Sequence, residues 1–178
     1  NDHTPGFPSA ARYVAKAHMA DSRDNASIPG IKINVIMGRH AGFLTAASAL
    51  ARHDADDGPH LIYVPEVAFD LEDFCNDVAK VYDRLGRCQI AVSEGIQDKQ
   101  GQSIGAMLIQ GETDAHGNVQ LSGSGALGDQ LANMLKSRLS PSGGKPPRVR
   151  ADTLGYIQRC FPDASPVDIA EAEAAGRY

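Results

Sequence analysis

No stretch of this 178-residue sequence approaches the ~18 consecutive apolar residues of a membrane helix, so a spanning segment is not expected. The start, "NDHTPGFPSA", lacks the charged and apolar regions of a signal peptide. A basic excess is missing too. Lys and Arg number 17 against 22 Asp and Glu, a net charge of −5, which argues against a nucleic-acid surface. Cysteine is scarce: Cys75, Cys88 and Cys160 are odd in number and lack metal-ligand spacing. Buried, reduced thiols in a cytoplasmic protein are the expectation. No internal repeat or low-complexity tract is visible. An initiator Met is also absent and the chain opens on a turn-rich segment, so part of a longer polypeptide is expected. What remains, 42% apolar and 22% charged residues, is ordinary for a globular domain with a real core.

The apolar pattern switches period repeatedly. "IKINVIM" puts Ile31, Ile33 and Val35 on one face of a strand. Phe43, Ala46, Ala47 and Leu50 then follow helical spacing and are expected to face inward. "HLIYVP", His60 to Pro65, reads as a strand buried on both faces. Asp70 is placed to cap a helix that carries Leu71, Phe74, Val78, Val81 and Leu85 on one face, with Gly86 as its stop. "CQIAVSEG", Cys88 to Gly95, reads as a third strand. Leu127, Leu131, Met134, Leu135 and Leu139 mark another helix, and Val149 to Leu154 a fourth strand. A last helix has Ser165 as cap, Pro166 at its first position and Gly176 as stop. An opening helix spans Pro8 to Ala20. Between Gln97 and Gly123 the rhythm breaks, and an inserted β-hairpin or excursion is expected there. Strand–helix alternation of this kind predicts an α/β fold, a three-layer Rossmann-like domain with a mostly parallel sheet.

In such sheets ligands bind beyond the carboxyl ends of the strands. The residues that follow the four strands are "MGR" (Met37, Gly38, Arg39), "PE" (Pro65, Glu66), "SEG" (Ser93, Glu94, Gly95) and "GYIQR" (Gly155 to Arg159). Polar and charged groups thus collect at one edge. Arg39 and Arg159 carry permanent charge and forked donors suited to phosphate oxygens. Glu94 can accept from sugar hydroxyls, or simply cap a turn. Tyr156 offers a hydroxyl and a flat face, or a core residue. His40 and His116 read as structural on spacing alone, and Cys160 has no His/Asp arrangement to make it a nucleophile. "GSG" at Gly123 to Gly125 lacks the wider dinucleotide fingerprint.

"MGRHAG" (Met37 to Gly42), "YVPEVAFD" (Tyr63 to Asp70), "SEGI" (Ser93 to Ile96) and "LGYIQRC" (Leu154 to Cys160) occur in one order. Together with "DHTPGF" and "GNVQLSGSG" they resemble the phosphofructokinase family over nearly the whole chain. "HAG" after "MGR", and Tyr156 where the familiar bacterial ATP enzymes have His, look more like the pyrophosphate-dependent branch. The resemblance implies phosphoryl transfer from pyrophosphate, or ATP, to the 1-hydroxyl of fructose 6-phosphate in glycolysis. Mg²⁺ would arrive with the donor, with no metal site in this chain. Met37, Gly38 and Arg39 would hold the sugar phosphate, with Arg39 also facing the moving phosphoryl group. Glu94 would accept a sugar hydroxyl, and Tyr156, Ile157, Gln158 and Arg159 would grip the sugar and its 6-phosphate. Arg150 would reach a neighbouring subunit's site in a homo-oligomer. The family's glycine-rich donor site and its "TIDND" base lie upstream of "DHTPGF". Val35 stands in place of a family Glu, Pro8 of a common Gly and Asn118 of a common His. The implied organisation is a connecting helix at 1–28, a fructose 6-phosphate-binding domain at 29–157 and a return connector at 158–178, the sugar half of the fold. The alternative is a non-catalytic sugar-phosphate-binding subunit or sensor.

Overall fold

In a computed structural model, which describes residues 6–108, 125–140, 146–160 and 163–176, the alternating segment Ile31–Ile36 forms β1 at the centre of the sheet. Parallel partners flank it: β3 (Cys88–Ser93) on one side and β4 (Val149–Thr153) on the other. β2 (Leu61–Tyr63) pairs in parallel with β3, giving the order β2-β3-β1-β4. Every residue of β1 and β3 is buried, because both faces of these strands are covered. β2 differs from the sequence expectation: its three residues are half-buried, since it lies at an edge of the sheet.

Ile31, Ile33, Val35, Ile90 and Val92 face one apolar layer. That layer is built by α3 (Leu71–Leu85), the short α4 (Ile104–Leu108) and α5 (Ala126–Arg138). α3 forms where its cap and stripe predict. The Asp70 carboxylate accepts from the N–H groups of Glu72 and Asp73, and Gly86 ends the helix at φ 67°. Phe74, fully buried, meets Tyr63 edge-on at 5.3 Å and lies 5.3 Å from Phe69. Phe74→Ala is therefore expected to cost about 3–5 kcal/mol, read as a lower urea midpoint at unchanged slope.

The opposite face carries α1 (Phe7–Ser27), seven residues longer at its C-terminal end than the apolar pattern suggests. Its inward stripe starts apolar, with Ala10 and Val14, then turns polar with His18, Ser22 and Asn25. Sheet side chains pair with the acids that flank this stripe. Lys32 forms ion pairs with Asp21 and Asp24, Asn34 donates to Asp21 at 2.9 Å, and Gln89 donates to Asp21 at 2.9 Å. Asn25 in turn donates to the Gly30 carbonyl at 3.0 Å. Hydrophobic periodicity cannot see such a stripe.

His18 is buried in this layer with Nδ1 2.8 Å from the Val14 carbonyl, while Nε2 has no partner among the described residues. Burial holds its pKa below the ordinary value, and burial does the same to His60. Both favour the neutral ring when folded. Their contribution is complete above the unfolded-state pKa of about 6.5 and is lost as pH falls below it toward the folded value. The urea midpoint is expected to fall between pH 7.5 and pH 5.5, and His18→Gln to flatten part of that slope.

The segment after β1 departs most from expectation. α2 covers only Phe43–Ala46 and passes into a 3-10 turn at Ala47–Ala51. Its inward residues are Thr45, Ser48 and Ala51, spaced three apart as that geometry requires, while Phe43 and Leu50 are 71% and 69% exposed. Small and hydroxyl side chains let this segment lie close against α1. Between Gln97 and Ser103 a tight turn closes with one antiparallel bridge, followed directly by α4. The rest of the expected insertion, including "DAHGN" and His116, lies outside the described residues, as do Gly123 and Ser124 of "GSG".

α6 (Pro166–Ala175) starts at Ser165, whose hydroxyl accepts from Val167 N, and docks on the start of α1. There Asp168 accepts from the Gly6 and Ser9 N–H groups at 2.7 and 2.6 Å, an internal anion at a helix N-terminus. Cys75 and Cys88 are buried reduced thiols, Cys88 pushed up to about 12 by burial. Cys160 is exposed instead, in the turn that carries Arg159.

Candidate functional site

Parallel pairing brings the carboxyl ends of β1, β3 and β4 to one edge. Because α1 packs antiparallel to β1, its N-terminus reaches the same edge. Between them opens a cleft of about 850 Å³. Met37, Gly38, Arg39 and His40 line it, with the buried Glu94 at the floor and the exposed Tyr156 and Arg159 at the rim. Gly6, and Phe7 and Ala10 of α1, with Ala41, Phe43 and Leu44, complete the lining.

The 3-10 turn at Gly155–Arg159 splits its residues between two environments. Arg159 places its guanidinium 5.1 Å from the centre of the exposed Tyr156 ring, a cation–π contact that leaves donors for an anion. Gln158 turns inward, is fully buried, and donates to the Gly155 carbonyl at 2.8 Å. Ile157 is 65% exposed and does not line the cleft. Of the sequence-derived set, Met37, Gly38, Arg39, Glu94, Tyr156 and Arg159 come together, whereas Ile157 and Gln158 do not. Arg150 lies elsewhere, exposed toward the start of β4, near Asp24, whose carboxyl the Lys32 hydrogen bond and charge hold below its ordinary pKa with a smaller contribution from Arg150.

Glu94 is buried at the floor, with Oε1 a long 3.4 Å from the Gly38 N–H. Its second carboxylate oxygen takes no hydrogen bond from the described residues. It is an acceptor facing a cleft whose walls carry two cations, an arrangement fitted to a ligand with hydroxyls at one point and negative charge at others. Among the described residues no group of three or more His, Cys, Asp or Glu side chains could hold a metal ion. No helix there is long and apolar enough to cross a membrane.

Sequence reasoning missed the α1 and Phe43 wall. A helix running back to the sheet's carboxyl edge was the available signal for Phe7. The outward turn of Phe43 had none, because its spacing matches a buried helical face.

A parallel sheet covered by helices on both faces, with a cationic cleft at its carboxyl edge, defines a doubly wound α/β ligand-binding domain. Known proteins narrow that class. The family profile described as Phosphofructokinase matches residues 1–177. The chain is 58% identical over 178 residues to the pyrophosphate–fructose 6-phosphate 1-phosphotransferase of Rhodospirillum rubrum, covering 99% of this chain and 43% of that protein. It is 32% identical over 181 residues to the sulfofructose kinase of Alkalicoccus urumqiensis, covering 99% of this chain and 43% of that protein. The crystal structure of the pyrophosphate-dependent phosphofructokinase from Marinobacter aquaeolei superposes with a TM-score of 0.74 at 30% identity, covering 97% of this chain and 38% of that one. The chain belongs to the phosphofructokinase family, and it spans less than half the length of these relatives.

Proposed function

We propose that this chain forms the fructose 6-phosphate half of a pyrophosphate-dependent phosphofructokinase acting in cytoplasmic glycolysis. The observation that carries the reading is the convergence of Arg39, Glu94, Tyr156 and Arg159 on one cleft from three separate strand ends. Arg159 and Tyr156 hold the 6-phosphate end, and Glu94 accepts from a sugar hydroxyl. Gly38 lets the sugar approach the backbone, with Met37 beside it. Arg39 helps hold the sugar phosphate and also faces the transferred group. In the reaction, the sugar's 1-oxygen forms a bond to a phosphorus of pyrophosphate while the bridging P–O bond breaks, releasing inorganic phosphate. The hydroxyl proton leaves to a base outside this chain. Positive charge from Arg39 offsets the negative charge spread over the moving phosphoryl oxygens, so the contribution of this half is positioning and electrostatics. Mg²⁺ enters as part of the donor substrate.

Gln158 supports the rim by holding its turn, and Ile157 serves by exposure rather than contact. Residues 1–28 and 158–178 act as connectors around the sugar domain at 29–157, and Arg150 serves a neighbouring subunit's site in a homo-oligomer. The test is an assay of the full-length protein with fructose 6-phosphate or sulfofructose and with pyrophosphate or ATP. Fructose 1,6-bisphosphate formed chiefly from pyrophosphate is expected. Failure to phosphorylate fructose 6-phosphate with either donor would overturn the proposal.

A further inference from the structure

Arg39 is exposed, and no described side chain holds its guanidinium, so its aim is set by its backbone. That backbone lies outside helix and strand, yet both ends of the loop from Gly38 to Gly42 are tied to neighbouring strand ends. At one end the buried hydroxyl of Ser93, the last residue of β3, donates to the Gly38 carbonyl at 2.6 Å. Gly38 sits there at φ 149°, where a Cβ would stand 2.6 Å from the Ala41 carbonyl oxygen, so the turn is tight as well as anchored. At the other end the Gly42 N–H donates to Oε1 of Glu66, past β2, at 2.7 Å. Oε2 of Glu66 would stand 2.6 Å from a Cβ on Gly42, so the carboxylate occupies the space a side chain would need. Neither Ser93 nor Glu66 lines the cleft.

We infer that Ser93 and Glu66 are positioning residues, a two-point clamp on the 38–42 loop that aims Arg39 into the cleft. The inference rests on the sugar-phosphate reading of that cleft. Removing either anchor leaves a backbone group unpaired and frees one end of the loop, and a misplacement of about 1 Å in such a group lowers ligand affinity steeply. Substitution at Glu66 by Gln keeps an oxygen acceptor in place, whereas Ala removes it.

The experiment is calorimetric titration of the full-length protein with fructose 6-phosphate and, separately, with pyrophosphate. It is run for wild type, Ser93→Ala, Glu66→Ala and Glu66→Gln, with amide exchange read at Gly42. Both alanine variants are expected to bind fructose 6-phosphate about tenfold more weakly, with a smaller loss for pyrophosphate, whose transferred group Arg39 also faces. Glu66→Gln should recover most of the loss. Gly42 should exchange faster in Glu66→Ala while the amides of β1 and β3 keep their protection. Alanine variants that bind fructose 6-phosphate like wild type overturn the clamp, as does a Glu66→Gln variant as impaired as Glu66→Ala. A wild-type protein that binds no fructose 6-phosphate overturns the sugar-phosphate reading instead, and Gly42 exchange still reports whether the loop is tied.

Discussion

Replacing Arg39 by alanine is expected to weaken fructose 6-phosphate binding to the full-length protein by about two orders of magnitude, with little change in thermal stability. The side chain is exposed on a cleft wall and supports no core contact, so its removal should not disturb folding. What it loses is charge-assisted hydrogen bonding to an anion, the strongest kind available to a surface cation. Arg39→Lys retains the charge but not the forked donor pair, and should recover only part of the affinity. A Kd in Arg39→Ala within twofold of wild type would remove Arg39 from the site.

Gly95→Ala should be as damaging through sterics alone. A Cβ at Gly95 would stand 2.1 Å from the Arg39 carbonyl oxygen, 2.5 Å from its carbonyl carbon and 2.6 Å from the Gly38 oxygen. All three are backbone atoms, so no flexible side chain can yield. The loop that carries Arg39 must move, and fructose 6-phosphate affinity is expected to fall by about 100-fold. A stability cost of about 1–3 kcal/mol should accompany it. Gly86→Ala is the matched control. Gly86 has φ 67° and open space around its Cβ position, at the end of α3 remote from the cleft. That variant should lose stability through backbone strain while binding normally, as thermal unfolding and calorimetry together would report. Loss of binding in Gly86→Ala, or normal binding in Gly95→Ala, would contradict this account of the loop.

Much of the architecture was legible because local signals agree with tertiary environment. The apolar alternation of β1 survives burial on both faces, and α3 has a cap, a stripe and a glycine stop that all point the same way. The edge where Arg39, Glu94, Tyr156 and Arg159 meet followed from strand direction alone, since parallel strands put their carboxyl ends together. Illegible parts share a physical cause, namely dependence on distant partners. The second half of α1 buries Ser22 and Asn25, which a hydropathy pattern reads as solvent-facing until Gly58 and Gly30 are placed against them. Phe43 and Leu50 keep helical spacing but face outward, because Thr45, Ser48 and Ala51 pack against α1. Gln158 belongs to the motif expected to grip the sugar yet donates its amide N–H to its own turn. The tie between Glu66 and Gly42 spans 24 positions and has no periodic signature.

The most direct measurement is a calorimetric titration of the full-length protein with fructose 6-phosphate and with fructose under identical conditions. If the cleft at the carboxyl edge is a sugar-phosphate site, fructose 6-phosphate should bind at least about 100-fold more tightly, since the phosphate engages charge-assisted donors that the free sugar cannot use. Equal affinity for the two sugars, or no heat with either, would contradict the assignment.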